Sequence, residues 1–174
     1  MILRTERLLI RPFKESDIND LYDIYCDTKV CKYLLHDVWN ENNKLKEFQQ
    51  KLKYNKLEEG KINLACVLDK KVIGDISICH TEMKETVEIG YTFNSRYSGK
   101  GYAYESVKTV VEYLFKNYGV HRIIANLDSR NLSSAKLCER IGMRKEAHFI
   151  KDYWNKGEWT DSYIYMGCLL LIYN

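Results

Sequence analysis

The chain has 174 residues, of which 45% are hydrophobic and 29% are charged. This length is sufficient for one domain with a substantial core but short for two, so we expect a single domain over residues 1–174. The formal net charge is only +3, and the lysines are spread along the chain. A nucleic-acid-binding domain would need a concentrated basic face, so we expect no direct nucleic-acid partner.

The six cysteines show neither a metal-binding pattern nor a disulfide framework. None belongs to a Cys-x-x-Cys pair, and the histidines do not cluster with them at zinc spacing, so we predict no metal. The N-terminus lacks the apolar core of a signal peptide, and the longest apolar stretch, near residues 163–173, is too short to cross a membrane. We therefore expect a cytoplasmic protein with reduced thiols and no membrane partner.

The first part of the chain predicts one strand and three helices. Residues 5–13 are strand-like, and Pro12, the only proline, lies at the end of this run, where a missing N–H is tolerated. The helices are expected at residues 16 or 17 to about 26, 30–34 and 40–59. Gly60 is a natural end for the third helix.

The remainder of the chain predicts six strands and two helices. The strands are expected at residues 62–68, 72–79, 86–93, 121–127, about 143–154 and 159–171. The helices are expected from about residue 103 to 118 and from 131 or 133 to 141, where Gly142 stops the second. Turn residues at 69–71 and 155–157 predict antiparallel hairpins, and the strand–helix–strand order after residue 86 predicts one parallel pair. The expected fold is one α/β domain with a mixed, mostly antiparallel central sheet flanked by helices.

The alternation within residues 72–79 predicts that one side of this strand faces solvent. Ile76 and Ile78 alternate with Asp75 and Ser77 along the run. Successive side chains of a strand point to opposite faces of the sheet, so the isoleucines would be buried and the polar pair would be hydrated.

The segment Ser98-Gly99-Lys100-Gly101-Tyr102-Ala103 joins a predicted strand to the first turn of a predicted helix. Such a turn directs several free backbone N–H groups to one point, where the helix dipole also favours negative charge. Glycine at 99 and 101 permits a positive φ or a close approach to a ligand. The segment therefore indicates a phosphate or pyrophosphate site, although these residues alone are equally compatible with a βα turn that binds nothing.

Two common phosphate-binding motifs do not fit this segment. A dinucleotide fingerprint needs a third glycine, but position 104 is Tyr. A P-loop needs Ser or Thr after its lysine, but Lys100 is followed by Gly101. The segment instead resembles the pyrophosphate loop of the GNAT N-acetyltransferases, Gln/Arg-x-x-Gly-x-Gly/Ala. Gly101 and Ala103 match the last two anchors, and Ser98 stands where Gln or Arg is usual.

The resemblance extends from about residue 3 to 170 and is strongest to the ribosomal-protein-alanine N-acetyltransferase branch of this family. The order and the spacing of the similar segments agree along the chain. They include Thr5-Glu6-Arg7-Leu8-Leu9-Ile10-Arg11-Pro12-Phe13, Val72-Ile73-Gly74-Asp75-Ile76, Glu88-Ile89-Gly90-Tyr91, Asn131-Leu132-Ser133-Ser134-Ala135, Ile141-Gly142-Met143 and Gly157-Glu158-Trp159-Thr160-Asp161.

The resemblance implies acetyl-CoA as cosubstrate and a set of residues that hold it. Backbone groups of the loop would bind the pyrophosphate, and backbone groups at a point where the sheet opens would bind the pantetheine arm. The implied cofactor-binding residues are Phe93, Ser98, Gly99, Lys100, Gly101, Tyr102, Ala103 and Asn131. Asn131 has a structural alternative, because Asn is a good helix N-cap in any protein.

The resemblance also implies catalytic residues. Glu88 is the expected base for the acceptor amine, Ser134 the stabiliser of the departing thiolate, and Tyr153 an acid or a wall of the pocket. The base that the ribosomal-protein branch carries in the penultimate strand would fall near Asp152 or Tyr153. Many family members carry a Tyr seven residues after the Asn at 131, as the proposed acid for the departing thiolate, but this chain has Cys138 there, which we expect to pack in the core. Structural alternatives are a solvent-facing Glu88 and a capping Ser134.

The function implied is transfer of an acetyl group to a primary amine, in the first instance a protein N-terminal α-amine. Acetylation of a small amine, such as a polyamine or an aminoglycoside, is the alternative within the enzyme class. A CoA-binding module without catalysis is the alternative outside it. The resemblance is also compatible with a homodimer.

Overall fold

Nine strands and five α-helices lie within residues 1–168, the part of the chain that the computed structural model describes. The strands are β1 (Leu3–Arg4), β2 (Leu9–Pro12), β3 (Asn55–Lys56), β4 (Lys61–Leu68), β5 (Lys71–His80), β6 (Thr86–Phe93), β7 (Arg122–Asp128), β8 (Arg144–Asn155) and β9 (Glu158–Cys168). The helices are α1 (Ile18–Tyr25), α2 (Thr28–Cys31), α3 (Lys44–Lys53), α4 (Tyr102–Asn117) and α5 (Leu132–Arg140). Residues 169–171 of the predicted last strand lie outside the described residues.

These strands form one mixed sheet in the order β1-β2-β4-β5-β6-β7-β9-β8, with β3 paired to β4 at its side. Within residues 1–168, the pairing of β6 with β7 is parallel and the other pairings are antiparallel. The connection through α4 makes this parallel pair possible, because parallel strands need a long crossover. The predicted fold class and the predicted parallel pair are both confirmed.

The core has two layers, one on each face of the sheet. Along β4, Ile62, Leu64 and Cys66 belong to a cluster that includes the buried faces of α4 and α5. Ala65 and Val67 alternate with them and belong to a second cluster, which includes buried residues of α1 and α3. Because the side chains of a strand alternate between faces, the helices cover the sheet from both sides.

The predicted helix at residues 40–59 is wrong beyond Lys53. After α3 the chain extends into β3, and a 3-10 turn at Leu57–Glu59 ends at Gly60, which has a φ of +100°. Continuing the apolar face of Phe48 and Leu52 would need apolar residues near 55, 56 and 59, but Leu57 is off this face. The turn buries Leu57 completely, which a continued helix would not do.

Two smaller boundaries also differ from the sequence predictions. The run at residues 5–13 is not one strand, because a turn closed by the Thr5 N–H and the Leu8 carbonyl (2.9 Å) separates β1 from β2. The short helix predicted at residues 30–34 is instead α2, whose N-cap Asp27 accepts a hydrogen bond from the Lys29 N–H. Both differences follow from local turn and capping bonds rather than from apolar spacing.

The prediction that Asp75 faces solvent is wrong. Its side chain is only 3% exposed, accepts a hydrogen bond from the Tyr25 hydroxyl (2.7 Å) and forms an ion pair with the Lys51 ammonium (2.5 Å). Burial alone would lower the pKa of Lys51, but the Asp75 carboxylate outweighs it and leaves that pKa raised. Helices α1 and α3 therefore cover this side of β5 and supply partners for its buried charge.

No helix within residues 1–168 is long and apolar enough to span a membrane.

Candidate active site

The central feature of the site is a divergence between the two parallel strands. β6 and β7 pair over only three residues each, 86–88 with 122–124. Beyond this point β6 continues along β5 as far as Phe93, while β7 continues along β9 as far as Asp128. The sheet therefore opens into a cleft between residues 89–93 and residues 125–128.

The edge of β6 that faces the cleft carries unpaired backbone groups. The Asn94 N–H donates to the Ile73 carbonyl at 2.9 Å, which makes Gly74 and Phe93 a non-hydrogen-bonded pair of the antiparallel ladder. In such a pair the N–H and C=O groups of each residue point away from the partner strand. The backbone groups of Phe93, and by alternation those of Tyr91, therefore point into the cleft. This is the geometry expected for Phe93 from the sequence.

The glycine-containing loop closes one end of the cleft. Gly99 and Gly101 have φ values of +75° and +82°, the conformation that glycine permits at no steric cost. Gly101 is the N-cap of α4, and the first hydrogen bond of that helix runs from the Glu105 N–H to the Gly101 carbonyl at 3.0 Å. The N–H groups of residues 102–104 precede this bond and have no partner within the helix. This is the arrangement of free N–H groups at a helix N-terminus that favours an anion.

Arg7, which lies near the N-terminus of the chain, supports this loop. Sequence reasoning gave Arg7 no role. Its guanidinium donates to the Lys100 carbonyl (3.0 Å) and to the Glu105 carboxylate (2.7 Å), and it lies 4.4 Å from the centroid of the Tyr102 ring. The side chain of Thr5 hydrogen-bonds the same carboxylate of Glu105. The turn between β1 and β2 therefore holds both sides of Gly101.

A groove of about 630 Å³ lies along this loop, between the end of β6 and the helices α2, α4 and α5. The predicted cofactor-binding residues that line it are Phe93, Ser98, Gly99, Gly101, Tyr102, Ala103 and Asn131. Lys100 does not line the groove. Its backbone carbonyl is held by Arg7, and its ammonium lies 5.9 Å from the Tyr97 ring centroid.

A second cavity, of about 420 Å³, lies on the α1 and α3 side of the cleft and contains Glu88. Burial raises the pKa of the Glu88 carboxyl, and the nearby charge of Lys61 partly opposes this shift. Glu88 is half-buried and is not the freely solvated residue of the structural alternative. Tyr153 lines the same cavity, but its side chain is 42% exposed and lies on β8 at the rim.

The groove and the second cavity share one stretch of wall. The residues that line both are Tyr33, Leu34, Tyr91, Thr92, Asn131 and Ser134. The two cavities therefore meet at the opening of the sheet, next to the first turn of α5. A molecule lying in the groove can present one end to a second molecule in the cavity.

The polar residues at the start of α5 have structural roles as well. The Asn131 side chain accepts a hydrogen bond from the Ser134 N–H at 3.2 Å, so Asn131 is the N-cap of α5. The Ser134 carbonyl accepts a hydrogen bond from the Tyr91 hydroxyl at 3.0 Å. Sequence reasoning did not assign Tyr91 a role, because alternation with Val87 and Ile89 makes it one more apolar residue on that face of β6.

Residues 7–144 match the family described as "Acetyltransferase (GNAT) domain". An N-acetyltransferase of Bacillus subtilis named YnaD, described as uncharacterized, is 36% identical over 165 residues, or 95% of each chain. A crystal structure of a GNAT-family acetyltransferase from Bacillus anthracis is 33% identical, with a TM-score of 0.86 over 97% of this chain and 98% of that one.

A more distant solved structure contains the cofactor. It is the RimL ribosomal L7/L12 alpha-N-protein acetyltransferase in complex with coenzyme A, which superposes with a TM-score of 0.85 at 16% identity. The superposition covers 97% of this chain and 98% of that chain. At this identity the likeness concerns the fold.

Removal of Arg7 is expected to loosen the first turn of α4. In Arg7→Met the amides of residues 105–107 should exchange with solvent several-fold faster, because the hydrogen bonds of the guanidinium to the Lys100 carbonyl and the Glu105 carboxylate are lost. Hydrogen exchange followed by mass spectrometry or NMR measures this. Arg4→Met, at an exposed arginine of β1, is the matched control and should leave these amides unchanged. Equal exchange in both variants would show that Arg7 does not support the loop.

Proposed function

The chain belongs to the acetyltransferase (GNAT) family, and we propose that it transfers the acetyl group of acetyl-CoA to an acceptor that carries one primary amine, in the first instance a protein N-terminal α-amine. The family match and the named N-acetyltransferase relatives establish the reaction class. The observation that carries the proposal for this chain is the junction of the two cavities at the opened sheet. One cavity ends at the glycine-containing loop, and the other is lined by a half-buried carboxylate.

The cosubstrate would lie in the groove with its pyrophosphate on the loop. The N–H groups of residues 102–104 and the two loop glycines support this placement, since each charge-assisted hydrogen bond contributes about 1.5–3 kcal/mol. The pantetheine arm would then run along residues 91–93 and bond the backbone groups that point away from β5. Asn131 would shape the groove through its cap of α5 rather than through a free side chain.

Glu88 is the proposed base. An amine is largely protonated near neutral pH, and a carboxylate within reach, directly or through water, makes the attacking form available. The half-buried position of Glu88 supports this role, because burial raises its pKa toward the working range of a base. Ser134 is the proposed partner of the departing thiolate, since it lines both cavities in the first turn of α5.

Tyr153 is proposed as part of the wall of the acceptor cavity. It lies on the rim, and its carbonyl is held by the Thr160 hydroxyl at 3.2 Å across the β8–β9 hairpin. Asp152, its neighbour, is exposed and does not line the cavity. The hairpin therefore contributes shape at the entrance rather than a second base.

The charges of the cavity favour an acceptor with one amine over a polyamine. The carboxylates that line it have cationic partners, since Asp75 lies 2.5 Å from the Lys51 ammonium and Asp128 lies 2.7 Å from the Arg130 guanidinium. The positive charge of Lys61 acts on Glu88 and opposes the rise of its pKa. A polycation would need several unpaired carboxylates, whereas a single α-amine needs only one.

An acceptor panel tests the proposal. Release of CoA from acetyl-CoA would be measured with peptides carrying a free N-terminus, with spermidine and with an aminoglycoside. The matched control is the same peptide with its N-terminus acetylated, and neither peptide contains lysine. The proposal predicts turnover with the free peptide, none with the blocked one, and at least about 10-fold lower kcat/KM for spermidine. A preference for spermidine or the aminoglycoside would support the small-amine alternative, and CoA binding without any turnover would support a non-catalytic module.

Substitution of Glu88 tests the base directly. Glu88→Gln keeps the size and removes the proton acceptor, so the rate near neutral pH should fall by about 10²–10⁴. The deficit should shrink toward pH 9, where more of the acceptor amine is neutral. The wild-type rate should also fall in acid as the carboxylate is protonated, and because burial raises the pKa of Glu88, this fall begins above the ordinary range of a glutamate.

Steady-state kinetics from pH 5 to 9 measure this effect. Glu82→Gln, at an exposed glutamate in the turn before the same strand, is the control and should match wild type. Acetyl-CoA affinity should be the same in all three proteins. A Glu88→Gln variant with wild-type rate and pH profile would remove Glu88 from the mechanism.

A further inference from the structure

The hydroxyl of Tyr91 lies in a fixed position that the roles given above do not use. It donates to the Ser134 carbonyl at 3.0 Å and lies 3.2 Å from the Cys138 sulfur. The ring packs against the core cluster on the α5 side of the sheet. The phenol oxygen is therefore held by a strand and a helix that come from opposite walls of the cleft.

Tyr91 lies where the reacting atoms must meet. It lines both the cofactor groove and the acceptor cavity. An acetyl group that passes from a thioester in the groove to an amine in the cavity must cross their junction. The sulfur of the thioester would then lie against the wall formed by the backbone of residues 91–93 and the first turn of α5.

The hydroxyl and the thiol beside it both stay protonated near neutral pH. Burial raises the pKa of Tyr91 far above its ordinary value, and the adjacent Cys138 adds to this. Burial also raises the pKa of the Cys138 thiol to about 11. Tyr91 is therefore a permanent donor, and Cys138 can donate its S–H to the phenol oxygen.

We propose that the Tyr91 hydroxyl donates a hydrogen bond to the sulfur of the departing thiolate, turning from the Ser134 carbonyl to do so. This inference rests on the proposed function. In the step it assists, the carbon–sulfur bond of the tetrahedral adduct breaks and its electron pair moves onto sulfur. Tyr91 keeps its proton, and the thiolate takes a proton from solvent after CoA leaves. The Cys138 S–H keeps the phenol oxygen oriented throughout.

The role fits a donor better than an acid. A phenol whose pKa is raised by burial is a much weaker acid than a thiol, so transfer of its proton to a thiolate would be unfavourable. A fixed neutral donor still stabilises the negative charge that develops on sulfur. Tyr91 thereby joins Ser134, the other hydroxyl proposed to face the sulfur.

Tyr91→Phe keeps the ring and removes the donor. The inference predicts that kcat falls about 10- to 100-fold, the value of one hydrogen bond to a charged group, with little change in the KM for acetyl-CoA. Tyr118→Phe is the matched control, because it also removes one hydrogen bond of a tyrosine hydroxyl. Tyr118 lies at the C-terminal end of α4, donates to Glu58, and lines neither cavity. Its kcat should equal that of wild type.

A second measurement separates this role from simple support of α5. The pKa of the thiol of bound CoA can be followed by the ultraviolet absorbance of the thiolate. A donor aimed at sulfur lowers this pKa in the wild-type complex, and the pKa should be higher in Tyr91→Phe but unchanged in Tyr118→Phe. A Tyr91→Phe variant with a lower kcat, a lower melting temperature and an unchanged thiol pKa would overturn the inference in favour of a structural role.

The outcomes also separate this inference from the proposed function. If wild type neither binds CoA nor turns over acetyl-CoA with any acceptor, both fail. If wild type is active and Tyr91→Phe retains its kcat and the thiol pKa of bound CoA, the role of Tyr91 alone fails.

Discussion

The divergence of β6 from β7 is the constraint on which the rest of the site depends. The two strands pair with each other over three residues each. Beyond them, the backbone of residues 89–93 pairs on one side only, with β5. Backbone polar groups left unpaired away from water are costly, so an opened sheet needs a polar occupant or solvent along its edge. An extended chain bearing amides, as in pantetheine, satisfies such an edge in the same way as an added strand. The loop after β6 then lies where the phosphates of that chain would end.

Long-range contacts hold the walls of this opening in place. Arg7 fixes the loop through Lys100 and Glu105, and the Tyr91 hydroxyl ties β6 to α5 across the cleft. On the other face, the buried pair of Lys51 and Asp75 ties α3 to β5 beside the acceptor cavity. Removing one partner of a buried ion pair typically costs about 3–5 kcal/mol of folding stability. Both side chains line the cavity and their charges cancel, so the pair adds no net charge to it. These contacts join the walls of the opening to elements on both faces of the sheet.

Sequence reasoning recovers the features that depend on local chemistry. Strand alternation, turn residues and capping predict the two hairpins, the crossover helix and the glycine loop, because each is encoded within a few residues. It fails where the outcome depends on what packs across space. Asp75 has the alternation of a solvent-facing residue, and it is buried only because α1 and α3 pack over it. Arg7 is 93 residues from the carbonyl it holds, and no spacing rule connects them. The Asn40–Glu59 prediction fails because the buried Leu57 is off the apolar face of the helix.

The opened edge of β6 and the loop together are the surface that we propose binds CoA. NMR chemical-shift mapping during a CoA titration tests it most directly, because backbone N–H groups are the proposed ligands. We expect the largest changes at the amides of Phe93 and of residues 99–104. We also expect Gly101→Val, which adds a branched side chain where φ is +82°, to remove these changes. Changes centred elsewhere, or the same changes in Gly101→Val, would contradict it.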